Sequence, residues 1–402
     1  MRAEARLYGL GVVLGAILSN SAVCQAQTDT LVSRALAPGV AYRQFVDKTG
    51  PLVAYLIRVD LRNAAVELQH VRAHDALKTR ERTTGMVRRL KETGVDVVAA
   101  MNADFFNLQT GENENNQIVA GEWWKGLKNT DSPYDTYDNA HIQFGLDANR
   151  RPVMDRFMFD GTAWAHGTAT PIITLNFFQP GNPEGTVLYT SRFGANTPRD
   201  TARRVVEAPM VSAGRKGDTV LFVRRGAIDT TSGTAIPAGG AVLVAYGVGS
   251  RQNEVKAMAD GDTVKVLLAT MPRLRPSAMP SLIIGGWPRI LRDGAVVAAE
   301  APVVEGTISR NAEAKHPRTA IGFSRDSATL YLLAIDGRSE KSVGVTLVEL
   351  ANLMRKLGAW QAMNFDGGGS TTVVIDGAVV NSPSDATGER EVGNAIVIVR
   401  KR

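Results

Sequence analysis

The chain of 402 residues contains a single cysteine, Cys24. With Cys24 lying close to the N-terminus, the rest of the chain has no thiol nucleophile, no disulfide and no zinc–thiolate site. The apolar run Leu7 to Leu18 is too short to cross a bilayer comfortably, since a spanning helix needs about 20 residues. Basic residues outnumber acidic ones, giving a net charge of +6, yet they are scattered rather than gathered into a run. That distribution argues against nucleic acid and leaves room for a smaller anionic partner. Internal repeats and low-complexity tracts are missing as well. What remains, 44% hydrophobic and 21% charged residues, is the composition of a globular protein with length enough to bury a core.

The N-terminus reads as an export leader. Arg2 and Arg6 precede the Leu7 to Leu18 run, and the small-residue site Cys24-Gln25-Ala26 follows, which predicts cleavage after Ala26 and a periplasmic or secreted mature chain. The expected organisation is a leader over 1–26, a β-rich N-terminal segment over 27–95 packing on the core, and a main domain over 96–402.

From Ala41 onward the pattern is mainly β. Leu52 to Val59 and Val66 to Val71 alternate partly between apolar and polar residues, and Val95 to Met101 suits a buried strand. Thr83 or Thr84 is expected to cap a helix with Met86, Val87 and Leu90 as its stripe and Gly94 as its stop. A second helix follows from the capping box Thr346/Glu349, the apolar face Leu347, Leu350, Leu353, Met354 and Leu357, and the stop at Gly358. Asp293-Gly294 and Asp376-Gly377 sit between β-type runs and predict tight hairpins. The segment from Gly111 to Asp138 is polar apart from Trp123-Trp124, a pair that favours ordering or sugar stacking. The fold class is therefore α+β: a mixed β-sheet core with a few packed helices, β-rich throughout.

Four polar clusters stand at the ends of apolar runs: Asn102/Asp104, His316-Pro317-Arg318-Thr319, Asp336-Gly337-Arg338, and the loop Asn364-Phe365-Asp366-Gly367-Gly368-Gly369-Ser370-Thr371-Thr372. Taken singly, each has a plain structural reading as a turn or a surface ion pair. If their strands share a sheet, carboxylates, guanidinium groups and backbone donors could converge on one cleft. A triple glycine lets the backbone turn sharply and approach a ligand without Cβ interference. His70, His74 and His166 read as structural or solvent-facing.

The order and content of these clusters resemble the phosphodiester glycosidase family. The residues that carry the resemblance are Ala100 to Phe106, Leu188-Tyr189-Thr190 with Thr197, Ile284-Gly285-Gly286-Trp287-Pro288, Pro317 to Gly322, Asp336-Gly337-Arg338 and the Asn364 to Thr372 loop. The resemblance spans roughly 41–399. The Gln109 to Asp138 segment is longer than the family needs, so substrate specificity does not carry across.

What the resemblance implies is hydrolysis at the anomeric carbon of a sugar 1-phosphodiester, of N-acetylglucosamine type or a related glycan, leaving free sugar and a phosphomonoester. Phosphate leaves readily, so such a site mainly needs cations or N–H donors for the phosphate and a carboxylate near the oxocarbenium-like carbon. Asp366 is the expected carboxylate, with Asp336 or Asp104 as the second. Arg318 and Arg338 would bind phosphate, with Thr319, Ser370 and the amides of Gly367, Gly368 and Gly369 adding donors, while Asn102 and Asn364 would orient sugar hydroxyls. No cofactor is required. Asp104, Asp336, Asp366 and Asn364 are oxygen ligands of the kind Ca²⁺ or Mg²⁺ prefers, which leaves a divalent cation open. Two rival readings are a glycan-binding or exopolysaccharide-assembly protein without turnover, and a metal-dependent phosphodiesterase cutting P–O.

Overall fold

The computed structural model describes residues 28–48, 50–130, 132, 136–178, 184–274, 279–307 and 309–401. The expected leader over 1–26, with Cys24 and Ala26, lies outside the described residues. Strand accounts for 46% of the chain and helix for 12%, as expected of a β-rich α+β protein. Pairing is almost entirely antiparallel; among the described residues Thr174–Leu175 beside Gly185–Thr190 is the parallel exception.

Two sheets face each other across one apolar core. The first has eight strands, and its centre runs Leu52–Asp60, Thr329–Ile335, Arg318–Phe323, Gln361–Phe365, Arg289–Arg292. The second has five, with Val373–Ile375, Val97–Asn102, Asn394–Arg400 and Val66–Arg72 side by side. Ile57, Ile321 and Met363 of the first meet Met101, Val373 and Ile396 of the second, all buried. Burying one aliphatic side chain of this size is worth about 1.5–3 kcal/mol, so this interface is the main source of stability for the pair. Strands from the N-terminal stretch are built into both sheets: Leu52–Asp60 pairs with Thr329–Ile335, and Val66–Arg72 with Asn394–Arg400.

Each outer face is covered by one predicted helix. Leu347–Lys356 lays Leu347, Leu350, Ala351 and Met354 on the first sheet. Its capping box forms as read: Thr346 accepts from the Glu349 N–H while Glu349 accepts from the Thr346 N–H. Thr83–Glu92 buries Met86 and Val87 against the second sheet. Its threonine cap does not form. Arg82 occupies the cap position without a side-chain bond, because the hydroxyl and N–H of Thr84 both go to the carboxylate of Glu389, 305 residues away in sequence. Both Asp-Gly turns form hairpins with both residues at positive φ, +50° and +77° at Asp293-Gly294 and +55° and +94° at Asp376-Gly377.

A second eight-stranded sheet, from Met158–Ala165 to Thr263–Met271, makes a further core with a small five-stranded sheet. The polar Gly111 to Asp138 segment contributes Gln117–Val119 and Glu122–Lys125 to that small sheet. Trp123 and Trp124 are both buried. The Trp123 indole N–H donates to the Leu268 carbonyl and its ring meets Phe159 edge-on, while Arg192 covers Trp124. Of the two readings for this pair, packing is the one observed and the rings are unavailable for stacking on sugar.

Candidate active site

The glycine loop is the crossing between the two facing sheets. Phe365 ends a strand of the first sheet and Val373 begins one of the second. Its anchors come from both sides. The Asp366 N–H donates to the Ala103 carbonyl at 2.8 Å, and the Gly368 N–H donates to Pro317 O at 2.9 Å. Asn102, almost wholly buried, donates through Nδ2 to the Asp366 carbonyl at 2.7 Å and accepts on Oδ1 from the Thr319 hydroxyl and the Thr372 N–H. Asn102 and Thr319 thus hold the loop; neither lines the cavity beside it.

The glycines are required by protein neighbours. A Cβ at Gly367 would stand 2.6 Å from Pro317 O, one at Gly369 would collide with the Asp385–Arg390 ion pair, and Gly368 adopts φ +60°. Two of the three amides expected to face a ligand are already committed: that of Gly367 to the Asp366 carboxylate and that of Gly368 to Pro317.

Beside the loop lies a cavity of about 240 Å³ lined by Asp366, Asn364, Gly367, Gly368 and Gly369, by Arg318, Arg338 and Arg390, by His316 and Thr307, and by the apolar surfaces of Phe105, Trp287, Pro288 and Leu347. Clusters from three strand ends therefore do converge. Arg318 is buried and donates from Nε to Val345 O and from Nη2 to Asn311 O and Ala314 O. Neither Arg318 nor Arg338 has a carboxylate within ion-pair distance among the described residues. Burial, reinforced by Arg338, lowers the Arg318 guanidinium to about 10, still charged at neutral pH. An uncompensated buried cation is costly unless an anion completes it. Burial, and after it the charges of Arg318 and Arg338, lower the His316 imidazole below its ordinary value.

Asp366 is the carboxylate of this cavity. Burial pushes it up to about 6, with the charge of Asp104 behind it adding to the rise; the Ser370 hydroxyl, Arg390 and the Gly367 N–H pull the other way. Arg390 reaches the loop because Asp385 grips it twice, at 2.7 and 2.9 Å, and it also donates to Ser370 Oγ. Sequence patterns gave no hint of Arg390, which sits in an irregular loop without an apolar run.

Two expected carboxylates lie off the cavity. Asp104 is buried, takes both the side-chain and backbone N–H of Asn115, and is also raised to about 6 by burial. Asp336 accepts from Tyr55, Asn381 and the Ser382 N–H, and burial raises it as well. Both carboxylates are spent on tying segments together. Among the described residues no three His, Cys, Asp or Glu side chains gather as metal ligands. Tyr189 and Thr197, part of the resemblance, lie in the second eight-stranded sheet and its flank, bonded to Tyr246 and Glu207. His70 is structural, bridging the Ile118 carbonyl and the Asn394 amide.

The site is thus an arginine-walled pocket with one carboxylate at a glycine crossing. Residues 210–399 match the family model described as phosphodiester glycosidase, in line with the resemblance carried by the sequence motifs. The chain is 29% identical over 238 residues to the mouse N-acetylglucosamine-1-phosphodiester alpha-N-acetylglucosaminidase, a match covering 56% of this chain and 43% of that protein. The curated relatives it matches are covered over 13% to 43% of their length. Two solved structures share the fold. A hypothetical protein from Synechocystis has a TM-score of 0.71 at 19% identity, covering 93% of this chain and 64% of that one. A protein from Burkholderia pseudomallei has a TM-score of 0.65 at 23% identity, covering 87% and 74%.

Proposed function

We propose that the chain hydrolyses the anomeric C–O bond of sugar 1-phosphodiesters. The observation that carries this reading is the pairing, in one cavity, of two guanidinium groups lacking carboxylate partners with a single carboxylate poised near neutrality. Arg318 and Arg338 hold the phosphodiester anion, Arg390 assists, and Trp287 and Phe105 offer an apolar wall to the sugar. Ionised Asp366 faces the anomeric carbon and takes the proton of the attacking water. The water oxygen bonds to that carbon, the bond to the phosphate oxygen breaks, and the phosphomonoester leaves with the electron pair. A phosphate needs little acid help to depart, so one carboxylate at the cavity suffices. The cavity is smaller than the roughly 300–1,000 Å³ typical of drug-sized ligands, which suits a single sugar with its phosphate rather than a polymer segment.

In this reading the positive charge is supplied by guanidinium groups, and no resident cation takes part. The leader-like N-terminus, a fold neighbour described as exported, and the lack of a described helix long and apolar enough to cross a membrane support a periplasmic or secreted enzyme acting on phosphate-containing glycans.

The test is incubation of residues 27–402 with a panel of sugar 1-phosphodiesters in ¹⁸O water, with Asp366→Asn as control. Label in the free sugar, absent from the control, is the expected result. Label in phosphate with release of sugar phosphate would replace the mechanism by P–O cleavage.

A further inference from the structure

The arginines account for only one side of the cavity. Opposite charge cannot explain two buried polar atoms on its other walls. Asn364 is 2% exposed and its amide orientation is fixed, because Nδ2 donates to the Trp287 carbonyl at 2.7 Å. Among the described residues its Oδ1 has no protein donor. Thr307 is 3% exposed, and its hydroxyl likewise has no partner among the described residues. Both side chains line the same cavity, alongside the Trp287 and Phe105 rings, which meet edge-on at 5.9 Å. A buried acceptor without a donor costs about 1–3 kcal/mol, so native structures rarely leave two in one place unless a ligand completes them.

We propose that Asn364 Oδ1 and Thr307 Oγ1 form a donor-selecting subsite that binds hydroxyl or amide N–H groups of the sugar ring, making Thr307 a specificity-determining residue. This rests on the reading of the arginine wall as the phosphate site. The amide oxygen can only accept, so that position demands an O–H or N–H and rejects a ring carbon bearing hydrogen alone. The hydroxyl of Thr307 completes the pair by accepting or donating, according to which ring substituent it meets. A site built to bond a particular group discriminates strongly against analogues that lack it, because its buried polar atoms are then stranded.

The experiment compares three probes by calorimetry: inorganic phosphate, α-glucose 1-phosphate, and cyclohexyl phosphate, which keeps the six-membered ring and the charge but carries no hydroxyl. Wild-type protein should bind glucose 1-phosphate about 10- to 100-fold more tightly than cyclohexyl phosphate. Thr307→Val, close to isosteric, should reduce that ratio about 5- to 20-fold while leaving the phosphate affinity unchanged, and Thr307→Ser should restore it. Equal binding of the two ring phosphates by wild type, or a ratio indifferent to Thr307→Val, overturns the subsite and leaves the anion site standing. Failure of wild type to bind inorganic phosphate removes the arginine-wall reading and the subsite with it. Should Thr307→Val not fold, the wild-type ratio decides.

Discussion

Replacing Asp366 by asparagine should abolish turnover and, at neutral pH, make the protein more stable. The carboxylate is desolvated between the two sheets, and its folded-state value rises from the ordinary 3.8 to about 6, chiefly through burial and secondarily through the charge of Asp104. The folded protein thus holds this proton more tightly than the unfolded chain does. Between about pH 4 and pH 6 the native state binds more protons, so stability falls as pH rises through that window and levels off above it. At about 1.4 kcal/mol per tenfold, the rise bounds the cost of the ionised form near 3 kcal/mol. The partial opening of Asp366 to the cavity makes about 1–3 kcal/mol the working range. Asparagine keeps the shape and can still accept from Ser370 and Gly367, but carries no charge to desolvate.

The assay is denaturant unfolding of both proteins from pH 4 to pH 8. The variant's advantage should be near zero at pH 4, grow to about 1–3 kcal/mol by pH 7, and stay flat beyond. Wild-type turnover should show its acid limb near pH 6, where Asp366 ionises. A variant less stable than wild type at pH 8, or a difference that ignores pH, would refute the claim that this carboxylate is strained by burial. Retained turnover would remove it from the chemistry.

Arg318→Lys should lower kcat/KM by about 100-fold or more, because an ammonium cannot bond Val345, Asn311 and Ala314 and still present a planar pair of N–H groups to phosphate; steady-state kinetics with folding checked by circular dichroism reads it. Asp336→Asn should act through the fold, costing about 1–3 kcal/mol because Tyr55 or Ser382 loses a charged acceptor, with KM nearly unchanged; a large drop in kcat at wild-type stability would return Asp336 to the catalytic machinery.

What the sequence made legible was local. The capping box at Thr346, the Asp-Gly hairpins and the buried strand leading to Asn102 are each decided within a few residues, and each forms. Local reasoning failed wherever a distant partner intervened. Thr84 gives its hydroxyl to Glu389 instead of capping its own helix. The strand end at Asp336 was recognisable, but whether its carboxylate faces the cavity or the Tyr55 hydroxyl depends on a strand 281 residues away in sequence. Arg390 has no periodic context at all; its place at the cavity follows from Asp385 and from the absence of a side chain at Gly369.

The same logic explains why stability and the proposed chemistry meet in one loop. The Asn364 to Thr372 crossing joins the two facing sheets, so its backbone is over-determined by bonds to Ala103, Pro317 and Asn102. Only a segment held so firmly can keep a carboxylate partly desolvated, beside a second raised carboxylate, without relaxing toward solvent. The glycines serve that rigidity by letting backbone and ion pair close in around the loop. In the proposed reaction Asn102 and Thr319 would act without touching the cavity: they fix where Asp366 stands, while the arginines and the oxygens of Asn364 and Thr307 face the substrate.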